Sequence, residues 1–269
     1  MAPETAGSAR WASARRVGGV DALAREGFGR GAEAYERGRP AYPPEAVAWV
    51  CSGLGIGPGS LVLDVGAGTG KLAWLVRAVS GARVVGVEPV EEMRELAAAA
   101  GLGMLDGTAE HLPAEDGSVD AVVCGEAFHW FDGPRALNEI ARVLRPDGGV
   151  GLLWNVHRWD READWVEAIE ALLAPHSDRR PDTAYGSGRW RAAFEQDRRW
   201  TPLEQRAFAQ LQRLDPAGLV DHVASVAYVA ALPERERQAL LAEVAAIAAE
   251  LPGPVEIPYQ TDAYVSRLD

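Results

Sequence analysis

The stretch Leu61-Val62-Leu63-Asp64-Val65-Gly66-Ala67-Gly68-Thr69-Gly70 constrains this chain more than any other. Its apolar, branched start, Leu61 to Val65, reads as a strand buried on both faces. Three alternating glycines follow, and Lys71 to Val76 then place apolar residues at helical spacing. A strand that turns sharply through glycines into a helix leaves backbone N–H groups unpaired at the turn. It also lets another molecule approach a backbone bare of side chains. Such a turn is a cofactor seat.

Spacing narrows the cofactor. The dinucleotide fingerprint G-x-G-x-x-G needs glycine where Lys71 stands, so a nicotinamide or flavin fits poorly. A phosphate-cradling G-x-x-x-x-G-K-[ST] loop fails twice, with Val65 in place of its first glycine and Leu72 in place of the Ser/Thr. What remains is an acid ending the strand, then G-x-G-x-G. Asp64 is a poor partner for a pyrophosphate and a good one for a cationic ligand. This motif resembles the D-x-G-x-G-x-G of class I S-adenosylmethionine-dependent methyltransferases, in which the turn, here Gly66-Ala67-Gly68, passes under the cofactor's amino-acid part.

The elements that follow give the fold. Ala82 to Glu88 reads as a second strand closed by an acid, and strand, helix and strand in about thirty residues make a right-handed parallel unit. Asp64 and Glu88 then end adjacent strands, at the carboxyl edge where ligands of open α/β sheets bind. Glu88 suits a pair of ribose hydroxyls, in dinucleotide enzymes as well. Met104-Leu105-Asp106 and Val119 to Cys124 supply further strands, and Arg145 to Gly149 turn into Val150 to Trp154. Residues 58 to 155 alternate strand and helix five times, the pattern of a doubly wound sheet. Gln205 to Leu214 and Val255 to Arg267 alternate like strands, with helical residues 221–251 between them. They resemble the antiparallel end of the methyltransferase sheet. The expectation is a seven-stranded, mostly parallel, Rossmann-like sheet with an antiparallel last strand and a helical cap.

Further residues follow from the same resemblance. Pro89 opens the next helix, and Met93 is either the family's apolar contact to the adenine face or an ordinary core methionine. Gly107-Thr108-Ala109-Glu110-His111-Leu112-Pro113 is similar to the family's G-D-A-E-x-L-P segment, which reads adenine. Thr108 stands in the aspartate's place, and its hydroxyl accepts a weaker hydrogen bond. Tyr35-x-x-x-Arg39-Pro40-x-Tyr42-Pro43 resembles the entry segment of the trans-aconitate-methyltransferase-like branch. There it folds over the cofactor, with an arginine near its carboxylate; the alternative is a surface turn. Gly125-Glu126-Ala127-Phe128-His129-Trp130-Phe131 follows the fourth strand and resembles a family element carrying H-W-F. Glu126 is expected at the cofactor, with Phe128, His129 and Trp130 at the substrate.

Methyl transfer from a sulfonium is a displacement at carbon that needs alignment and exclusion of water, so a base is optional. His129 is therefore either the general base, for a phenol or amine, or a positioning group, for a carboxylate already ionised. No metal set of proper spacing is apparent. Beyond Asn155 the pattern loosens, and residues 157–200 are expected to form a substrate cap. In it Arg179, Arg180, Arg189 and Arg191, with Tyr185, Trp190 and Phe194, line a pocket for an anionic or flat substrate or else form a solvated surface.

Composition sets the surroundings. Of 269 residues 39 are acidic and 27 basic, a net charge of −12 that repels nucleic acid and anionic lipid. Cys51 and Cys124 form no disulfide framework, which suits a cytoplasmic protein. Residues 1–27 read as a flexible tail, 28–269 as one domain whose residues 28–50 cover the cofactor, and the chain as monomer or homodimer. The reading is an S-adenosylmethionine-dependent enzyme acting on a small molecule, a carboxylate O-methyltransferase by the closest resemblance. The alternatives are a fold of this class that uses the cofactor for another reaction, and a cofactor-binding protein without catalysis.

Overall fold

A computed structural model describes residues 32–158, 163–179 and 185–269. Seven strands form one sheet in the order β3-β2-β1-β4-β5-β7-β6. They are β1 (Leu61–Val65), β2 (Arg83–Val87), β3 (Gly103–Leu105), β4 (Val119–Gly125), β5 (Leu144–His157), β6 (Glu204–Leu214) and β7 (Val255–Arg267). β7 lies antiparallel between β5 and β6, and the other pairings are parallel. This is the doubly wound, mostly parallel seven-stranded sheet expected from the sequence. The expected tail (1–27) and the first residues of the entry segment, Phe28 included, lie outside the described residues.

The helices are α1 (Ala32–Gly38), α2 (Pro44–Leu54), α3 (Lys71–Ser80), α4 (Glu91–Ala99), α5 (Gly133–Val143), α6 (Asp164–Leu173), α7 (Arg191–Gln196), α8 (Pro216–Ala224), α9 (Ala227–Ala230) and α10 (Glu234–Ala249). Their ends follow local chemistry. Pro44 opens α2 where a missing N–H is harmless, and Gly55 closes it in the left-handed conformation, its N–H returning to Cys51 and Ser52. Asp132 and Asp215 cap α5 and α8 by accepting from Arg135 and Gly218 N–H.

Alternation along the strands builds two cores. Val62, Val123, Leu153 and Ala263 face α2 and α3, while Leu63, Val122, Leu152, Trp154 and Tyr264 face α5 and α7. A third core forms where the sheet's last strands run long. Leu214, Ile257 and Tyr259 there meet Ile169, Leu219, Val223, Leu240 and Val244 of α6, α8 and α10. The helices over the β6–β7 end are thus α6, which falls within residues 157–200, together with α8 and α10. Residues 185–200 instead pack on the first face of the sheet, through Tyr185, Trp190 and Phe194.

The chain leaves β1 toward β2 and β3 on one side, and β4 and β5 lie on the other. The order reverses between β1 and β4, so a crevice opens past their carboxyl ends. The crevice residues described below gather at that reversal.

Candidate active site

Two compartments of one crevice meet at this switch point. One, of ≈ 660 Å³ counted to its open mouth, is lined by Glu88, Pro89, Met93, Thr108, Ala109, Glu110, Ala127, Trp130 and Phe131. The other, of ≈ 500 Å³ on the same basis, is lined by Arg39, Tyr42, Asp64, Ala67, Thr69, Lys71, Asn155 and Tyr259. Tyr35, Gly66, Gly68, Gly125 and Glu126 belong to both.

The glycine turn holds φ of +72° at Gly66 and +55° at Gly68, conformations that favour glycine. A Cβ on Gly66 would stand 2.6 Å from the Ala127 methyl. The turn's N–H groups are not free, contrary to the expectation from the strand–glycine–helix pattern. Gly66 and Ala67 donate to the Val87 carbonyl, Gly70 to Ala67, and Gly68 to Glu88 Oε2. What the turn leaves unsatisfied is negative. Asp64 is 1 % exposed, and neither carboxylate oxygen has a hydrogen-bond partner among the described residues. Burial raises its pKa to about 7 against the pull of the nearby Ala73 N–H, with repulsion from Glu88 adding a smaller push upward. A bare buried carboxylate beside a turn whose donors are spent has the chemistry to accept a cation and to repel a pyrophosphate.

Glu88 is held rigidly, Oε1 accepting from Val90 N–H and Oε2 from Gly68 N–H, each at 2.9 Å. Glu126 has a left-handed φ of +54°, and its Oε1 accepts the Asn155 N–H. Burial lifts its pKa to about 7 against the Asn155 N–H and Arg39. Glu110 lines the crevice, but its Oε1 accepts the Asp132 N–H at 2.9 Å.

The family model described as a methyltransferase domain matches residues 63–151. A methyltransferase of Mycobacterium tuberculosis (strain ATCC 25618 / H37Rv), itself uncharacterised, is 37% identical over 242 residues, 87% of this chain and 92% of its own length. This chain belongs to the methyltransferase family. A methyltransferase-like protein of Schizosaccharomyces pombe is 31% identical over 242 residues, 87% of this chain and 93% of its own. Among solved structures, a protein from Anaeromyxobacter dehalogenans described as a candidate type II methyltransferase superposes with a TM-score of 0.62. The match covers 85% of this chain and 97% of that one, and at 20% identity it supports the fold alone.

The methyltransferase fold brings all fourteen residues expected at the cofactor into the crevice: Tyr35, Arg39, Tyr42, Asp64, Gly66, Ala67, Gly68, Glu88, Pro89, Met93, Thr108, Ala109, Glu110 and Glu126. Arg39 does not present a free fork there. Its Nε donates to Ser225 Oγ at 2.9 Å and its Nη2 reaches the Ser225 carbonyl.

The residues expected at the substrate divide. Trp130 lines the crevice. Phe128 is 1 % exposed and packs on Phe131, Trp190 and Phe194, because the short 3₁₀ turn Phe128–Trp130 points it into the first core. Trp190 is likewise core, packed against Trp154 at 4.5 Å between centroids with the rings tilted by 36°, and its Nε1 is unpartnered among the described residues. His129 lines neither compartment. Its Nδ1 accepts from Trp154 Nε1–H at 2.9 Å, which fixes the ring proton of the neutral imidazole on Nε2. Burial depresses its pKa to about 4. A neutral ring with its basic nitrogen occupied donates a hydrogen bond and takes no proton near pH 7. Of the cap arginines, Arg191 donates to Tyr264 Oη at 2.7 Å and lies over the Trp190 ring, Arg189 is exposed, Arg180 is outside the described residues, and the Arg179 side chain is too.

Sequence reasoning missed several members. Glu36 latches α1 to the turn: its carboxylate accepts from Thr69 Oγ1 and faces Lys71 Nζ at 3.3 Å, and its carbonyl accepts from Lys71. Asn155 takes bonds from Gln210 and Thr261 on Oδ1 and points Nδ2 at the Pro40 and Ala41 carbonyls. Tyr259, 3 % exposed, lines the second compartment with a hydroxyl that has no partner among the described residues. Lys71 and Thr69 were legible as polar groups of the motif. Nothing in the sequence placed Tyr259.

Proposed function

We propose that this chain transfers the methyl group of S-adenosylmethionine to a small acceptor molecule. One observation carries the reading. A two-part crevice at the switch point combines an orphaned buried carboxylate, Asp64, with a bare glycine turn and a rigidly held acid, Glu88. Those groups fit a ligand with a cationic amino-acid end and an adenosine end. Met93, Thr108 and Ala109 line the compartment suited to the flat base, and Glu88 has the chemistry for paired ribose hydroxyls. Asp64 and the Gly66–Gly68 backbone suit the amino-acid end. When bound, the group supplies an electrophilic methyl on a sulfonium.

The protein's part is positioning and drying. Displacement at carbon needs the acceptor atom in line at about 3–3.5 Å, and alignment of that kind lowers a barrier by roughly 7–11 kcal/mol. Tyr35 and Tyr42, both with hydroxyls pushed up by burial, close the entry side as neutral walls. Trp130 and Phe131 line the other side and exclude water. His129, outside both compartments, holds Trp154 through its Nδ1 and so steadies the aromatic wall behind Trp130.

The carboxylate acceptor implied by the resemblance has little support from this geometry. The crevice holds Asp64, Glu88, Glu110 and Glu126, its Arg39 is engaged by Ser225, and Arg191 is spent on Tyr264. An uncharged or cationic acceptor suits such a field better. The test is incubation of the protein with methyl-labelled S-adenosylmethionine and fractionated small-molecule extracts, read by mass spectrometry. Label appearing in a small molecule supports the reading. Cofactor binding with no label transferred in any fraction refutes it in favour of a non-catalytic binder, and label retained in an altered cofactor points to the other class of reaction.

A further inference from the structure

We infer that Glu126 reads the charge on the cofactor's sulfur, so that the crevice retains the charged methyl donor in preference to its neutral demethylated product. The inference rests on the S-adenosylmethionine reading above and goes beyond it by assigning a discriminating residue.

Chemistry fixes where the sulfur must be. In S-adenosylmethionine the sulfonium joins the 5′ carbon of the adenosine to the aminobutyrate chain. If adenosine occupies one compartment and the amino-acid end the other, the sulfur lies where they meet. The wall common to both is made by Tyr35, Gly66, Gly68, Gly125 and Glu126. Among the described residues Glu126 is the only carboxylate in it.

The chain holds that carboxylate there against a backbone preference. Glu126 and Asp147 are the two non-glycine residues with positive φ among the described residues. A left-handed conformation costs a side-chain-bearing residue roughly 1–2 kcal/mol, and strain of this kind collects where a group is being aimed. The Glu126 N–H donates to the Leu153 carbonyl at 2.9 Å, and Oε1 accepts from Asn155 N–H. Oε2 makes no hydrogen bond among the described residues. No cation is hydrogen-bonded to it among the described residues, and its burial makes a bound positive charge the partner that favours its ionised form. The cation facing it, Arg39, is turned onto Ser225; Tyr35, Tyr42 and Tyr259 face it as phenols kept protonated by burial; and the remaining crevice acids, Asp64, Glu88 and Glu110, share its sign.

The reaction then changes what Glu126 meets. The methyl–sulfur bond breaks, its electron pair stays on sulfur, and the methyl forms a bond to the acceptor's lone pair. Sulfur goes from positive to neutral, and the attraction to Glu126 vanishes with the charge. The interaction belongs to the loaded state and weakens through the displacement. Glu126 is accordingly a specificity residue that favours loading and product exchange, not a group that speeds the chemical step.

The test uses three defined ligands in calorimetry with the full chain. They are S-adenosylmethionine, S-adenosylhomocysteine, and sinefungin, which carries an ammonium in place of the methylsulfonium. Glu126→Gln should weaken the two cationic ligands by about tenfold or more, as expected for a unit charge pair a few ångströms apart in a partly dry site, and S-adenosylhomocysteine by less than about threefold. Glu126→Gly, which tolerates the left-handed backbone, should do the same and guards against misfolding of the first variant. Equal losses for all three ligands, or no loss for any, overturn the inference alone. A wild-type protein that binds none of them overturns the cofactor reading, and this inference with it.

Discussion

Asp64→Asn should stabilise the empty protein and abolish its response to cofactor. The wild-type carboxylate is buried with both oxygens unpartnered, and its pKa rises from 3.8 to about 7. A shift of roughly three units corresponds to about 4 kcal/mol of unfavourable ionisation in the folded state. The replacing amide is uncharged but brings donors that need partners, an offset of roughly 1–3 kcal/mol. The net gain is about 2 kcal/mol, or ~5 °C in melting temperature for a chain of this size. The pH dependence supplies the signature. Because the folded pKa is raised, the protonated form stabilises the fold below about pH 4, and that contribution is lost as pH rises through about 7. Melting temperatures of the two proteins should therefore cross: the variant melts below wild type near pH 4 by the amide's offset, overtakes it at roughly pH 5–6, and gains nothing further above about pH 7. Cofactor must reverse the order. At about 100 times its dissociation constant, S-adenosylmethionine stabilises wild type by about 2.7 kcal/mol and should leave the variant unmoved. Thermal melts from pH 4 to 9, with and without cofactor, measure all of this. A variant less stable than wild type at pH 8, or stabilised by cofactor as much as wild type, would refute the account of Asp64 as a destabilising cation seat.

Gly68→Val should abolish S-adenosylmethionine binding in calorimetry while keeping a cooperative melt. Its φ of +55° disfavours a branched side chain, and a Cβ there would lie 3.5 Å from the Met93 sulfur, inside the crevice. Hydrogen exchange across residues 32–44 should slow when S-adenosylmethionine binds, since α1 bridges the turn through Glu36 and the cap through Arg37, whose guanidinium pairs with Asp221 at 2.6 Å; unchanged exchange there would make the segment a passive wall. With an acceptor in hand, the wild-type rate should show no inflection between pH 6 and 8 attributable to His129, whose pKa is depressed to about 4. His129→Asn should lower turnover only modestly; a loss of about 10²–10⁴-fold would mean that it acts as a general base after all.

How much was legible in the sequence depended on how local the cause was. Strand, glycine turn and helix are set by neighbours in the chain, so β1, α3 and β2 could be read directly, and with them the carboxyl-edge positions of Asp64 and Glu88. Family-like spacing likewise located the residues that line the crevice. Partnership was not local. The Gly66, Ala67 and Gly68 N–H groups look free in sequence, yet β2 lies one strand away and offers the Val87 carbonyl and Glu88 carboxylate to them. The His-Trp-Phe element shows an aromatic cluster but not its direction; a single 3₁₀ turn sends Phe128 into the core and Trp130 to the crevice. His129 reads as a base until Trp154, 25 residues on, takes its free nitrogen. Arg39 reads as a free fork until Ser225, 186 residues on, holds it. Tyr259 reaches the second compartment because β7 inserts between β5 and β6 and carries its own start to the carboxyl end of β5, where Asn155 stands. The sequence by itself thus determined the sheet and the cofactor turn, through periodicity and backbone sterics. The tertiary structure alone decided which polar groups in the crevice remain unsatisfied, because that depends on what distant strands bring within about 3 Å.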